Sequence, residues 1–186
     1  MNDNLHVNWE RIDFNGEPDF IYRFFGKTKQ SSERVESISL NNFERSELLN
    51  WGKLSDNDVT SSEHLSGSRS YVLKPNSYST TYSFALDSIP FSNLQIAVDC
   101  WGKSKKYAYL KKVSIIVSIE NNQGNILWKG TVIDDQLIDG NQWNHLFAFA
   151  NYIHEKQNCT IKVYVWNTGK QDIYLDDFRV VIIGNK

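Results

Sequence analysis

The sequence has few of the residues that mark metal, redox or membrane proteins. Its 186 residues include 2 cysteines, 3 prolines and 4 histidines. Cys100 and Cys159 form neither a CxxC motif nor a zinc-binding set. They are predicted either to pair in an oxidising compartment or to remain free thiols in the core. No apolar run approaches the roughly 20 residues that span a bilayer, so we expect no membrane insertion.

The chain also lacks an excess of either charge. Its formal net charge is −2 and its pI is about 6.1. Nucleic-acid-binding proteins usually present a basic face, so we expect no nucleic-acid partner. One local basic run, "KSKKYAYLKK" from Lys103 to Lys112, is predicted to be a solvated loop or the end of a hairpin.

Motifs of catalysis are missing as well. The sequence has no glycine-rich phosphate loop, no GxSxG and no HExxH, and its histidines are scattered. His145 lies on an apolar face and is predicted to be a core histidine. The stretch "IDDQLID" reads as an exposed turn, and a glycoside hydrolase would need two carboxylates about 5–10 Å apart in a cleft. We therefore predict that the protein is not an enzyme.

Alternating apolar and polar residues dominate the sequence, and helical periodicity is scarce. Turn residues separate the alternating segments, as in "KPNS", "NNQGN" and "NTGK". One apolar face per strand is typical of an antiparallel sheet rather than a parallel one. The sequence therefore predicts an all-β protein, an antiparallel two-sheet β-sandwich. The predicted strands are 36–40, 69–74, 78–85, 94–101, 112–120, 125–133, 143–149, 159–166 and 172–183.

The alternation also predicts which side chains form the core. Trp51 and Trp143 are assigned to the core because they stand in register with apolar neighbours. The other residues predicted to share a face with the core are Leu94, Ile96, Val98 and Cys100; Val113, Ile115, Val117 and Ile119; His145, Phe147 and Phe149; and Ile161, Val163 and Val165.

The chain divides into two parts by composition. Residues 1–35 begin with many aromatic residues and end in a polar stretch. So many aromatics are unusual in a disordered tail, and about 35 residues without a metal or disulfide seldom fold alone. We therefore predict an N-terminal extension (1–35) that packs on a β-sandwich domain formed by residues 36–186.

Three segments carry a resemblance to a known family. These are "LNNFERSELLNW" (40–51), "SSEHLSGSRSYVLKPNSYS" (61–79) and "IYLDDFRVVI" (173–182). In this order they resemble the jelly-roll carbohydrate-binding modules related to families four, nine and twenty-two, which have a galactose-binding-like β-sandwich. The chain departs from the usual pattern because no glycine precedes Phe43 and an extra leucine, Leu65, follows His64.

The resemblance implies a structural calcium site. In that family the glutamate after Phe and an aspartate of the Asp-Asp pair bind the ion, which gives Glu44 and Asp176 here. Main-chain carbonyls of Ser66 and Ser68 would complete the site. Calcium takes six to eight oxygen ligands, and its charge would offset the cost of burying carboxylates. Alternation with Phe178 favours Asp176 as the inward residue, and the alternative is that both aspartates lie at the surface, paired with Arg69 or Arg179.

A ligand site is predicted from aromatic residues on the polar faces of strands. Trp101, Tyr164 and Trp166 lie opposite the aliphatic stripes, and Asp99 lies beside them in sequence. Rigid amphipathic rings suit the stacking of sugars. Trp128, Tyr107 and Tyr109 are predicted to frame the same surface from loops. The alternatives are that Trp101 is covered by the N-terminal segment and that Trp166 packs against the "NTGK" turn.

These features together predict a non-catalytic carbohydrate-binding module with a structural calcium site. Its partner would be an oligo- or polysaccharide, and it would belong to a bacterial surface or glycan-processing system. The N-terminal residues lack a signal-peptide pattern, so the extracellular or periplasmic location rests on the resemblance. The alternative is a structural or protein-interaction sandwich with no sugar site.

Overall fold

The computed structural model describes residues 34–87, 89–105, 112–133, 141–153 and 158–185. These ranges contain the strands β1 (Arg34–Asn41), β2 (Val59–Thr60), β3 (Ser70–Leu73), β4 (Ser77–Tyr78), β5 (Tyr82–Ala85), β6 (Asn93–Lys103), β7 (Val113–Asn121), β8 (Gly124–Val132), β9 (Asn144–Ile153), β10 (Thr160–Asn167) and β11 (Ile173–Asn185). A 3₁₀ turn, Asp56–Asp58, precedes β2.

The strands form two antiparallel sheets. The six-stranded sheet has the order β2-β3-β11-β6-β9, and β1 also pairs with β11. The five-stranded sheet has the order β4-β10-β7-β8, and β5 also pairs with β10. The prediction of an all-β, two-sheet antiparallel sandwich is confirmed. No helix in the described ranges is long and apolar enough to cross a bilayer.

The core lies between the two sheets and follows the predicted alternation in three strands. The inward residues of β6, β7 and β10 are buried, with exposed fractions of 0–1%. Trp51 also belongs to the core cluster, as predicted. Cys100 and Cys159 are buried and free, so the structure favours the thiol alternative over the disulfide. Burial raises the pKa of the Cys100 thiol well above its ordinary value, which is expected of an unreactive core cysteine.

The predicted strand 78–85 is divided into β4 and β5. Ser79 still pairs with β10, because its N–H donates to the Val165 carbonyl (2.8 Å). The next residues turn toward Gly52, whose N–H donates to Thr81 (2.9 Å) and whose carbonyl accepts from Thr80 Oγ1 (2.8 Å). The backbone groups of the break are therefore satisfied by the segment that follows β1.

The face assigned to β9 was wrong. Leu146, Ala148 and Ala150 point into the core, whereas His145, Phe147 and Phe149 are only half-buried on the opposite face. Trp143 is half-buried and does not belong to the core cluster. The small alanines fit inside because β9 lies next to β6, whose Leu94, Ile96 and Val98 already fill that layer.

Residues 1–33 of the predicted extension lie outside the described ranges. Tyr107, Tyr109 and the three aspartates of "IDDQLID" also lie outside them. Arg34 and Val35, which were assigned to the extension, begin β1 and pair with the end of β11.

The register of β9 can be tested by truncating one residue on each face. Leu146→Ala should lower the free energy of unfolding by about 2–5 kcal/mol, because it leaves a cavity in a fully buried layer. Ile153→Ala, at a position that is 69% exposed on the same strand, should cost less than about 0.5 kcal/mol. Chemical denaturation measures both values, and the reverse ranking would contradict this register.

Candidate functional site

The two adjacent aspartates of β11 lie at a β-bulge. The register with β6 shifts between Asp176, which pairs with Trp101, and Arg179, which pairs with Asp99. Asp177 has a φ of 45°, in the left-handed region that aspartate tolerates better than most residues. The extra residue changes the phase of the alternation. The prediction that Asp176 shares a face with Phe178 was therefore wrong, because the bulge separates them.

Asp176 is fully buried against the loop that precedes β3. Its Oδ2 accepts hydrogen bonds from the N–H groups of Leu65 (2.8 Å) and Ser66 (3.1 Å), and its Oδ1 accepts from the N–H of Asp177 (2.8 Å). Asp177 Oδ1 accepts from the Ser66 hydroxyl (2.9 Å). The bulge thus directs two consecutive carboxylates to one loop. The N–H and hydroxyl donors of that loop offset the cost of burying the carboxylates.

Glu44 contacts the other half of the same loop. Its Oε1 accepts from the N–H groups of Ser68 (2.8 Å) and Arg69 (3.0 Å), and its Oε2 accepts from the Ser68 hydroxyl (2.7 Å). The Arg69 guanidinium donates to the main-chain carbonyl of Glu44. Gly67 has a φ of 58°, and a Cβ there would lie 2.4 Å from Glu44 Oε1, so this position requires glycine.

Glu44, Asp176 and Asp177, with the loop Leu65–Arg69, are here called the carboxylate clamp. Donation by the Ser68 N–H, and then by its hydroxyl, lowers the pKa of Glu44. Desolvation raises the pKa of Asp176 despite the opposing N–H groups of Leu65 and Ser66. Desolvation also raises the pKa of Asp177.

The clamp brings together the four residues predicted to bind calcium: Glu44, Ser66, Ser68 and Asp176. However, the two serines present N–H and hydroxyl donors to the carboxylates. Glu44 and Asp176 each already accept three hydrogen bonds, and the described residues contain no group of three or more His, Cys, Asp or Glu that could hold a metal. Calcium needs six to eight oxygen ligands, and in this arrangement the oxygens of Glu44 and Asp176 are engaged by N–H and hydroxyl donors. The calcium site stays a prediction from the resemblance.

The residues predicted to bind a ligand lie on opposite outer faces of the sandwich. Trp101 and Asp99 are on β6, in the six-stranded sheet. Arg179 donates to both Asp99 oxygens (2.9 and 3.1 Å), and His145 Nε2 lies 3.2 Å from Oδ1. Asp99 is only 2% exposed, and Trp101 packs on His145 at a ring distance of 5.1 Å. Asp99 and Trp101 are therefore engaged with Arg179 and His145 within the protein and do not join Tyr164 and Trp166 in one site.

Tyr164 and Trp166 lie on β10, on the outer face of the five-stranded sheet. Tyr78 stacks on Trp166 with ring centroids 5.6 Å apart, and its ring meets Tyr164 edge-on at 5.3 Å. Trp128, from β8, meets Trp166 edge-on at 6.5 Å. Tyr78 is 55% exposed and Trp128 is 50% exposed. Tyr78, Trp128, Tyr164 and Trp166 are here called the aromatic platform.

The platform rests on a small residue and is bordered by polar groups. A Cβ on Gly130 would lie 3.0 Å from the Trp128 ring and 3.1 Å from Ile116, so the absence of a side chain lets the indole lie against the sheet. Beside the rings, Lys162 pairs with Glu120. The Ser118 hydroxyl lies 3.2 Å from Glu120 Oε1 and 3.1 Å from Asn125 Oδ1.

Sequence reasoning missed several members of this surface. Tyr78 was placed in the predicted strand 78–85 and Glu120 in the predicted strand 112–120, but neither was assigned to the site. Trp128 was predicted to frame this surface from a loop, and it does border Trp166, but from β8, within the predicted strand 125–133. Alternation gives the outward direction of each side chain, but the pairing of β4 with β10 brings Tyr78 beside Trp166. That pairing has no local signal in the sequence.

Comparison with solved structures places the fold among carbohydrate-binding modules. The CBM22-1 xylan-binding domain of Xyn10C from Paenibacillus barcinonensis superposes with a TM-score of 0.50 at 14% identity, covering 81% of this chain and 97% of that domain. The tandem CBM22-1–CBM22-2 structure from the same protein gives a TM-score of 0.51 at 15% identity, covering 83% of this chain and 47% of the tandem. No protein-family model and no curated protein sequence matches the chain. The jelly-roll β-sandwich predicted from the resemblance is confirmed.

The clamp predicts a defined dependence of stability on pH. Glu44→Gln should lower the free energy of unfolding by about 1–2 kcal/mol at pH 7, since a charged acceptor is lost. The pKa of Glu44 is lowered on folding, so its contribution is complete above its ordinary value of 4.5 and is lost as the pH falls through the folded value. The difference between the wild type and the variant should therefore shrink below about pH 4.5 in chemical denaturation. Glu47→Gln, in an exposed ion pair with Lys53, is the control and should change little. A pH-independent difference would contradict this role for Glu44.

Melting experiments decide the calcium prediction. Because the clamp oxygens already accept hydrogen bonds, we expect the Tm to change by less than about 1 °C between excess calcium and excess chelator. A bound ion would raise the Tm by linkage. A rise of several degrees with calcium, lost in Glu44→Gln, would contradict this expectation and support the site predicted from the resemblance.

Proposed function

We propose that this chain is a non-catalytic carbohydrate-binding module that holds a saccharide on the aromatic platform. The observation that carries the proposal is the group of four contacting rings on an outer sheet face, two of them half-exposed. Each pyranose ring has an apolar C–H face, which packs on an aromatic ring, and a rim of hydroxyls. The rings at the centre of the platform can pack on the C–H face, and the polar residues along its border can hydrogen-bond to the hydroxyls.

The geometry of the rings supports a rigid binding surface. Tyr78 contacts both Tyr164 and Trp166, so its ring and each of theirs limit one another's rotation. Tyrosine and tryptophan lose few rotatable angles when they bind. Preorganised rings reduce the cost of binding, and binding of this kind needs no covalent step.

The polar border would select the orientation of the sugar. Glu120 and Asn125 supply acceptors and Lys162 supplies a donor, while the buried Ser118 hydroxyl donates to Glu120 and Asn125 and holds them in place. All four lie along β7, β8 and β10, which are central or long strands of the sheet. A site built on strands is held more precisely than one built on loops.

The structural neighbours guide the choice of probe. The domains that share this fold are described as xylan-binding, so soluble xylan is a suitable first ligand alongside a panel of neutral glycans. Fold alone does not transfer the ligand. Polysaccharides of this kind lie outside the cell, which supports the extracellular or periplasmic location predicted above, and fractionation of the producing cells tests that location.

The platform predicts which variants lose binding. On a glycan array and in affinity gels with soluble xylan, at least one neutral glycan should bind the wild type. Trp166→Ala and Tyr78→Ala should each weaken that binding about tenfold or more, as buried aromatic anchors do. Trp101→Ala, on the opposite outer face, is the control and should retain binding. An array on which no neutral glycan binds, or equal losses in all three variants, would contradict the proposal.

A protein-interaction role is the second candidate. Ile126, Trp128 and Val132 are 45–54% exposed on β8, the edge of the five-stranded sheet in the described chain. Exposed apolar residues on an edge strand mark a contact surface. Concentration-dependent sedimentation that is abolished by Val132→Lys, with no binding on the array, would favour this role.

A further inference from the structure

A second candidate site lies where β3 ends, beside the turn between β10 and β11. It is a cleft of about 170 Å³ lined by Pro75, Lys105, Lys170, Gln171, Asp172 and Tyr174. Pockets that enclose a whole drug-sized ligand measure roughly 300–1,000 Å³. The volume here suits one unit of a longer chain. The six residues are called the basic cleft below.

The walls of the basic cleft are fixed by one buried amide. Asn167 is fully buried, and its Nδ2 donates to the carbonyls of Leu73 (3.3 Å), Lys74 (3.1 Å) and Gln171 (2.8 Å). Its Oδ1 accepts from the Gly169 N–H (2.8 Å). The end of β3 and the turn between β10 and β11 are therefore joined before any ligand arrives.

A further pair of bonds fixes the same turn from the other side. The Lys112 carbonyl accepts from both the N–H and the hydroxyl of Thr168 (2.8 and 3.0 Å). The start of β7 and the β10–β11 turn are thus held together. Hydrogen bonds within the protein therefore hold the backbone around the cleft in place.

The cleft carries an excess of positive charge. Its single carboxylate, Asp172, is paired with Lys74 at 3.2 Å. Lys105 and Lys170 have no carboxylate partner within the described ranges, whereas Lys103, from the same basic run, pairs with Glu63. Two lysines that line a cleft and lack an ion-pair partner in the described part of the chain attract an anion.

The remaining lining residues are those that recognise a sugar. Tyr174 and Pro75 provide apolar rings, and the Gln171 amide provides a donor and an acceptor. We propose that the basic cleft binds an anionic sugar residue, with Lys105 and Lys170 on its acidic group and Tyr174 against its ring. The inference rests on the proposed carbohydrate-binding function and adds to it a preference for acidic chains.

The test uses the full chain in affinity gels that contain polygalacturonate, dextran sulfate or soluble neutral xylan. The first two probes separate a carboxylate from a sulfate as the acidic group. Retention by at least one acidic polymer should exceed that in a gel without polymer and should fall as salt rises. Lys105→Gln/Lys170→Gln should weaken that retention about tenfold and leave retention by xylan unchanged.

Two controls separate this proposal from the platform. Lys53→Gln changes the charge at a distant exposed lysine and should behave as the wild type. Trp166→Ala should reduce binding of neutral glycans while the preference for the acidic polymer persists. If the acidic polymers retain the double variant and Lys53→Gln equally, the proposed anion binding by the basic cleft is wrong, regardless of the result for the platform variant. Loss of acidic retention in the double variant would support the cleft even if no neutral glycan binds.

Discussion

The carboxylate clamp is the constraint on which the described fold depends most. Glu44 follows the first strand, and Asp176 and Asp177 lie in the last strand, yet all three are bonded to the five residues Leu65–Arg69. Such contacts between distant parts of the chain form only when the sandwich is closed. They also satisfy N–H groups of a loop that would otherwise have no backbone partners. The paired aspartates of β11 are therefore explained by the donors of one loop.

The bulge in β11 makes this arrangement possible. A regular strand would send Asp176 and Asp177 to opposite faces. Because Asp177 adopts a positive φ, both carboxylates reach the same loop, and Phe178 still enters the core. The bulge also restores the pairing of Arg179 with Asp99 on β6. One local irregularity thus serves both the clamp and the ion pair behind Trp101.

The sequence was sufficient to predict the fold where one face of a strand is plainly aliphatic. That condition holds for β6, β7 and β10, and their inward residues were predicted correctly. It fails for β9, where outward aromatics resemble a core face and the true inward residues include small alanines. The bulge was also beyond prediction, because its signal is one residue in an unusual conformation. Alternation then assigned Asp176 to the wrong face.

The candidate site shows a different limit. Trp101, Tyr164 and Trp166 were all correctly predicted to point away from the core, but alternation does not reveal which sheet a strand joins. Long-range pairing places β6 in one sheet and β10 in the other, and so divides one predicted surface into two. The same pairing brings Tyr78 to Trp166 and joins the β10–β11 turn to the end of β3 through Asn167. Both proposed binding surfaces therefore include residues of β10 or of the turn that follows it, where the five-stranded sheet connects to the last strand of the other sheet. A saccharide chain would gain from two such surfaces only if one chain can reach both, since avidity requires simultaneous contact.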